Sequence, residues 1–210
     1  MKNSVPFLFI LLLSLLIQSC ASVSQYQTAK PAGEGNTIHR ISINGNIKDD
    51  GGTPPYIVEY GINYGVSNKL DFIGKINIWG SLSFGAKYTV LGSQLSKSAL
   101  AVGPTMNIFG RIINLTLPVH FTIEPSDLFS FTVTPSYTTP GLYKVKFDAD
   151  PYYKNINTGY WGLSPYIEAS RRVKFIFGVN LSFTKEALYT DYGFGVRIPG
   201  LTSIFNNESK

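Results

Sequence analysis

The stretch YIVEYGINYGVSNKLDFIGKINIWGSLSFGAKYTV, residues 56–90, decides the fold, because its apolar residues recur at every second position through three successive runs. Tyr56, Val58, Tyr60, Ile62, Tyr64 and Val66 share one face, followed by Leu70, Phe72, Ile76 and Ile78, then by Leu82, Phe84, Ala86, Tyr88 and Val90. The opposite face carries Glu59, Gly61, Asn63 and Gly65, then Asp71, Lys75 and Asn77, then Ser83, Gly85, Lys87 and Thr89. A period of two is that of a β-strand. The apolar positions stay on even numbers across both breaks. If Val66 faces Leu70 and Ile78 faces Leu82, each connection therefore has an odd number of residues. Asn68 and Gly80 fall in these connections, where a positive φ is expected.

The same alternation extends in both directions. Upstream, Ile41, Ile43 and Ile47 oppose Arg40, Ser42, Asn44 and Asn46, and Asp49 to Pro55 reads as a loop. Downstream, Leu100, Val102, Met106 and Ile108 alternate with Ala101, Gly103, Thr105 and Asn107. The parity flips after Arg111, where Ile113 to Ile123 alternate with Asn114, Thr116, His120, Thr122 and Glu124. Phe129, Phe131, Val133 and Tyr137 follow a turn at Pro125 to Asp127. Thr139 to Thr158 is the longest irregular segment, with a short hairpin extension expected at Tyr143, Val145 and Phe147. Trp161, Leu163 and Ile167 mark the next strand, with Ser164, Tyr166 and Glu168 opposite. Val173 to Phe183 alternates with Lys174, Gly178, Asn180 and Ser182. In the last run Leu188, Tyr192, Phe194, Val196 and Ile198 alternate with Thr190, Gly193, Gly195 and Arg197.

These runs predict about ten strands of roughly ten residues, each long enough to cross a bilayer when tilted. An even number returns both ends of the wall to one side and allows a closed sheet without edges. Charged residues make up only 15% of the 210, while glycine and aromatics are plentiful. That balance suits a wall with lipid outside and water inside. The fold expected is all-β, an antiparallel up-and-down transmembrane β-barrel. A soluble, lipocalin-like binding barrel with its apolar face inward shares the alternation and is the chief alternative. Strand length, a polar face of Gly, Asn, Ser and Thr, and aromatics near strand ends at Tyr56, Tyr64, Tyr88, Phe109 and Tyr137 favour the membrane version.

Ahead of the strands, Lys2 opens a leader, and Val5 to Ile17 is an apolar run of the length of an export signal. The run ends Leu16-Ile17-Gln18-Ser19-Cys20, which resembles the bacterial lipobox, with Gln18 departing from the usual residue at its position. The resemblance implies cleavage before Cys20 and attachment of a lipid, such as palmitate, to that side chain. Cys20 is the only cysteine, so no disulfide forms within the chain. Gln25 to Lys30 is similar to a segment of uncharacterised barrel lipoproteins of double-membraned bacteria. In the last run, Asp191 to Ile198 resembles the assembly signal of outer-membrane barrels, although the chain does not end there on an aromatic. Together these resemblances imply a cell outer membrane location, an anchor in outer-membrane lipid and insertion by the barrel-assembly machinery. The division expected is a signal over 1–19, a lipid-anchored tether over 20–36, the barrel over 37–200 and a polar tail over 201–210.

Cleavage would remove Lys2 and no acid, leaving 17 basic against 13 acidic side chains. The excess is spread along the chain, without the basic stripe of a nucleic-acid binder. The ionisable groups on the polar face are Arg40, Glu59, Asp71, Lys75, Lys87, Glu124, Glu168, Lys174, Arg197 and Asp191. In a narrow lumen their opposite charges are expected to pair across strands and block the bore with side chains. His120, Thr122 and Glu124 share a face, yet no serine nucleophile motif accompanies them, so a hydrogen-bonded ladder is expected and not an enzyme. His39 lacks a ligand partner at a usual spacing, and Asp148 with Asp150 lacks the Gly and Glu of a calcium loop, so no metal and no cofactor is expected. The role expected is structural or surface interaction through the Asp49 and Thr139 to Thr158 loops. A narrow pore for small solutes is the second reading. Oligomeric state has no signal in the sequence.

Overall fold

In a computed structural model of the chain, the described residues are 25–46, 56–78, 80–109, 112–141, 159–171, 173–185 and 188–200. The leader, Cys20, the Asp49 loop, the expected hairpin at Tyr143 to Phe147, Asp148, Asp150 and residues 201–210 lie outside them. Among the described residues eleven strands are formed: β1 (Thr37–Asn46), β2 (Tyr56–Gly65), β3 (Leu70–Asn77), β4 (Leu82–Leu91), β5 (Ser98–Val102), β6 (Thr105–Phe109), β7 (Ile112–Ser126), β8 (Phe129–Thr138), β9 (Tyr160–Ala169), β10 (Lys174–Phe183) and β11 (Leu188–Pro199).

Apart from β5 and β6, each strand pairs antiparallel with its neighbours in sequence, and β11 returns to pair with β1, Ile41 opposite Val196 and Asn44 opposite Gly193. β5 and β6 are two halves of one wall position, both lying between β4 and β7. Gly103 and Pro104 separate them, since proline has no N–H to give the ladder. The barrel is thus closed by ten strand positions. Four connections and both ends of the wall meet at one rim, called the lower rim here: residues 66–69, 92–97, 127–128, 170–171 and 173 lie there, and Gly200 donates its N–H to Thr37 at 2.7 Å.

The side chains are sorted inside out. Ile41, Phe72, Tyr88, Phe177 and Phe194 stand exposed on the outer surface, whereas Asp71, His120, Thr122, Thr132, Thr134 and Glu168 are fully buried in the lumen. A soluble lipocalin-like barrel requires the reverse, so that alternative does not describe this chain. Tyr64, Tyr88, Phe129 and Phe175 gird the lower rim on the outside, and Tyr56, Tyr137, Trp161 and Tyr192 the upper; the Tyr137 and Trp161 rings lie 4.9 Å apart.

Local departures have local causes. Gly80 adopts the positive φ expected of it, at +78°, but Asn68 does not; in its turn Ser67 Oγ accepts the Leu70 N–H at 3.2 Å and closes the bend without a left-handed residue. Ser170 instead takes the left-handed conformation, at φ 92°. Thr190 sits opposite Leu181 and shares the outer face with Leu188 and Tyr192, a polar residue where the sequence pattern placed it inward.

Candidate functional site

The lumen carries the chemistry of this barrel, and strand register sets what meets there. Arg40, Glu59, Asp71, Lys75, Lys87, Glu168 and Lys174 are buried in it, with Glu124 and Arg197 partly exposed. Asp71 on β3 lies directly opposite Lys87 on β4, and the ammonium sits 3.0 Å from the carboxylate with both side chains almost wholly buried. Glu168 on β9 accepts from Arg197 at 2.7 Å and from Ser130 at 3.0 Å. Lys174 lies 3.5 Å from Glu124 and donates to the Asp127 carbonyl at 3.0 Å. Register also forces like charges together: Arg40 opposes Arg197, and Arg197 opposes Lys174. Such a row is unfavourable alone, and the acids of β7 and β9 supply its counter-charge.

The obstruction in the lumen is a length of main chain. Residues 20–36 were expected to form a tether, but from Gln25 to Gly33 the segment is buried inside the barrel, with Lys30 alone half-buried. It leaves β1 at the lower rim through Gly33 and Gly35, both at positive φ, where Gly35 donates to the Gly65 carbonyl at 2.9 Å. Any side chain at Gly65 would strike the Gly33 backbone. From there the segment rises along the bore.

The wall holds this strap chiefly by its backbone. Asp71 accepts the Ala32 N–H at 3.0 and 3.1 Å; Gln94 donates to the Ala32 carbonyl at 3.2 Å. Thr122 accepts the Ala29 N–H at 2.8 Å, and Thr89 donates to the Ala29 carbonyl at 2.9 Å. Lys87 donates to the carbonyls of Thr28 and Lys30, both at 2.8 Å, and Arg40 to that of Tyr26. Main-chain groups inside a barrel need such partners because bulk water is excluded. By contrast, among the described residues the Gln27 amide finds no hydrogen-bond partner.

Two side chains of the strap are anchored. Lys30 pairs with Glu124. Burial, with Arg197 and Lys174 nearby, holds its ammonium below the ordinary lysine range. The Tyr26 ring lies against Tyr166, centroids 5.5 Å apart at 76°, and against Ile176, while its hydroxyl accepts from Asn180 at 3.2 Å. Beneath the ring, Gly178 and Gly193 face each other across β10 and β11, and a Cβ on either would collide with it. Ala29 packs likewise on Ala99 and Ala101. A cavity of about 10 Å³, room for one water, remains between the strap and β1 to β3, bordered by Gln27, Arg40, Glu59 and Lys75.

His120, Thr122 and Glu124 are not brought to one task. His120 shares a hydrogen bond with Thr134 at 3.0 Å, Thr122 with Thr132 at 2.8 Å, and Glu124 binds Lys30 and Lys174. His39 lies outside the lumen, 2.7 Å from the Tyr60 hydroxyl. Tyr26, Ala29 and Ile176 are the residues that sequence reasoning missed. The signal available was the glycine pair on the polar face, which leaves a bare patch of wall.

The fold compares with solved outer-membrane barrels. The NanC porin structure overlaps 76% of this chain and 98% of its own, with a TM-score of 0.52 at 8% identity. The N-terminal β-barrel domain of Pseudomonas aeruginosa OprF overlaps 80% of this chain and 99% of its own, with a TM-score of 0.38 at 8% identity. A set of de novo designed transmembrane β-barrels gives 80% and 97%, a TM-score of 0.37 and 12% identity. The likeness to the NanC porin is one of fold. No protein-family model matches the chain, and no curated protein matches it in sequence.

Proposed function

We propose that this chain is an outer-membrane β-barrel lipoprotein with a structural or surface-interaction role, its lumen sealed and its lipid carried on Cys20. The observation that carries this reading is the strap: Gln25 to Ala32 lies in the bore and is bonded to the wall at Arg40, Asp71, Lys87, Thr89 and Thr122. A bore filled in this way passes no solute, so the barrel acts through its rims, its loops and its lipid. Surface contact falls to the loops around Asp49 and from Thr139 to Thr158. Insertion through the barrel-assembly machinery is supported by the strand from Asp191 to Ile198, which closes the wall against β1.

The test begins with gel mobility of outer-membrane fractions with and without boiling, since closed membrane barrels keep their fold in detergent until heated. The expected result is a heat-dependent shift, no stable conductance in planar bilayers, and loss of palmitate labelling in Cys20→Ser. Removing residues 142–157 is expected to abolish surface binding while the heat-dependent shift persists. A large, steady conductance from the full-length protein would overturn the sealed-lumen reading and favour the narrow pore.

A further inference from the structure

The strap is bound as a ligand would be bound. Its carbonyls and N–H groups are met by wall side chains whose own charges are balanced by the wall, as Lys87 is by Asp71. Its aromatic side chain, Tyr26, lies in a recess floored by Gly178 and Gly193. A strand spacing of about 4.8 Å and a tilt of about 40° give a ten-strand wall a radius of about 10 Å. After the lining side chains, that leaves room on the axis for one extended backbone.

Resting on the sealed-barrel reading, we infer that the lumen is a binding site for an extended peptide, occupied in cis by Gln25 to Gly33, and that withdrawal of this segment opens an aqueous path through the barrel. The wall supplies the complementarity a peptide site needs: donors for carbonyls at Arg40 and Lys87, acceptors for N–H groups at Asp71 and Thr122, and an aromatic recess. Recognition of this kind is tolerant of sequence except at Tyr26, Ala29 and Lys30, whose side chains meet the wall, because main-chain groups are common to all peptides. The wall closes by backbone pairing that does not involve the strap, and the Asp71–Lys87 and Thr122–Thr132 contacts join wall strands to each other. Strand pairing runs unbroken from β10 through β11 and β1 to β3 beside the strap.

The test compares conductance of the full-length barrel with that of the same chain lacking residues 25–32, each first shown to be folded by its heat-dependent gel shift. Expected are a silent full-length barrel and a conducting deletion. A synthetic peptide of residues 25–33, QYQTAKPAG, is expected to block the deletion in a saturable way, with the Tyr26→Ala version needing roughly tenfold more. If the deletion does not fold, the chain with Tyr26→Ala and Lys30→Ala replaces it, with intermittent openings that the same peptide suppresses. A folded variant that stays silent, or a conducting one that the peptide does not block, overturns the inference and leaves the sealed barrel intact. A full-length barrel that conducts as its deletion does overturns both.

Discussion

Replacing Asp71 by Asn tests whether the lumen is held by a paired charge and not by bulk alone. Asp71 is fully buried, the Lys87 ammonium lies 3.0 Å from its carboxylate, and Lys87 is itself 1% exposed. Removing one partner of such a pair strands the other charge, which costs about 3–5 kcal/mol. The lower end applies here, because Lys87 keeps the carbonyls of Thr28 and Lys30 and the Asn amide oxygen still accepts from Ala32. Lys87→Met strands Asp71 and is expected to cost a similar amount. In the double variant neither charge is stranded, so its cost falls short of the sum of the singles by about 2 kcal/mol or more. The assay is the fraction of fast-migrating folded band across a urea series in lipid vesicles. Additive costs, or single costs below about 1 kcal/mol as for exposed pairs, would refute the reasoning.

Gly193→Ala places a Cβ where the Tyr26 ring and the Asn44 amide oxygen lie, so the folded fraction in the same assay is expected to drop; Tyr26→Gly with Asn44→Ala on that chain restores it, whereas no restoration would deny the packing. Ile41→Arg puts a cation on the outer face mid-strand and is expected to cost about 2–4 kcal/mol in vesicles, while Ser42→Ala, one residue on and inside the lumen, costs under about 1 kcal/mol. Equal costs would mean that the outer face does not meet lipid. Lys30→Ala leaves Glu124 with Lys174 as its ion-pair partner and is expected to destabilise the fold by about 1 kcal/mol, read from the urea midpoint; no shift would show that the half-buried pair contributes nothing.

The wall was legible in the sequence because one physical rule, polar in and apolar out, governs most positions of every strand run, with inward Ile57, Ile73 and Ile176 as exceptions. The alternation survived the break at Gly103 and Pro104, since both halves keep their odd-numbered residues inward. It misplaced Thr190, where a hydroxyl near the upper rim is within reach of water and need not follow the rule. The strap was illegible for a different reason. Gln25 to Gly33 has no periodicity and little apolar surface, so by itself it resembles a linker. What makes it ordered is a set of distant residues, Asp71, Lys87, Thr122, Gly178 and Gly193, whose convergence depends on the register of three separate strand pairs. Pattern finds strands; it does not find what they jointly surround.

Strand number explains why a strap is needed at all. An eight-stranded wall can fill its own interior with side chains, but each added strand widens the bore while side-chain length stays fixed. With ten positions a gap remains on the axis, and this wall widens it further by lining the bore with Ala99, Ala101, Gly178 and Gly193. Larger residues there would narrow the gap but would not seal it, and they would leave the row Arg40, Arg197 and Lys174 facing an empty channel. A backbone segment serves better, since its carbonyls accept from Arg40 and Lys87 and its Lys30 answers Glu124. The small residues of the wall and the small Ala29 of the strap therefore share one space, and the strap keeps its place only while the wall beside it stays small. That dependence predicts a reciprocal pair of defects. Enlarging Ala101 is expected to expel the strap from a barrel that still shows its heat-dependent shift, as Ala101→Leu does fully and Ala101→Ser in part, and trimming the strap by Ala29→Gly in the Ala101→Ser background restores its burial, measured as protection from protease. Protection lost in Ala101→Ser and not regained with Ala29→Gly would show that the two small residues do not share the space.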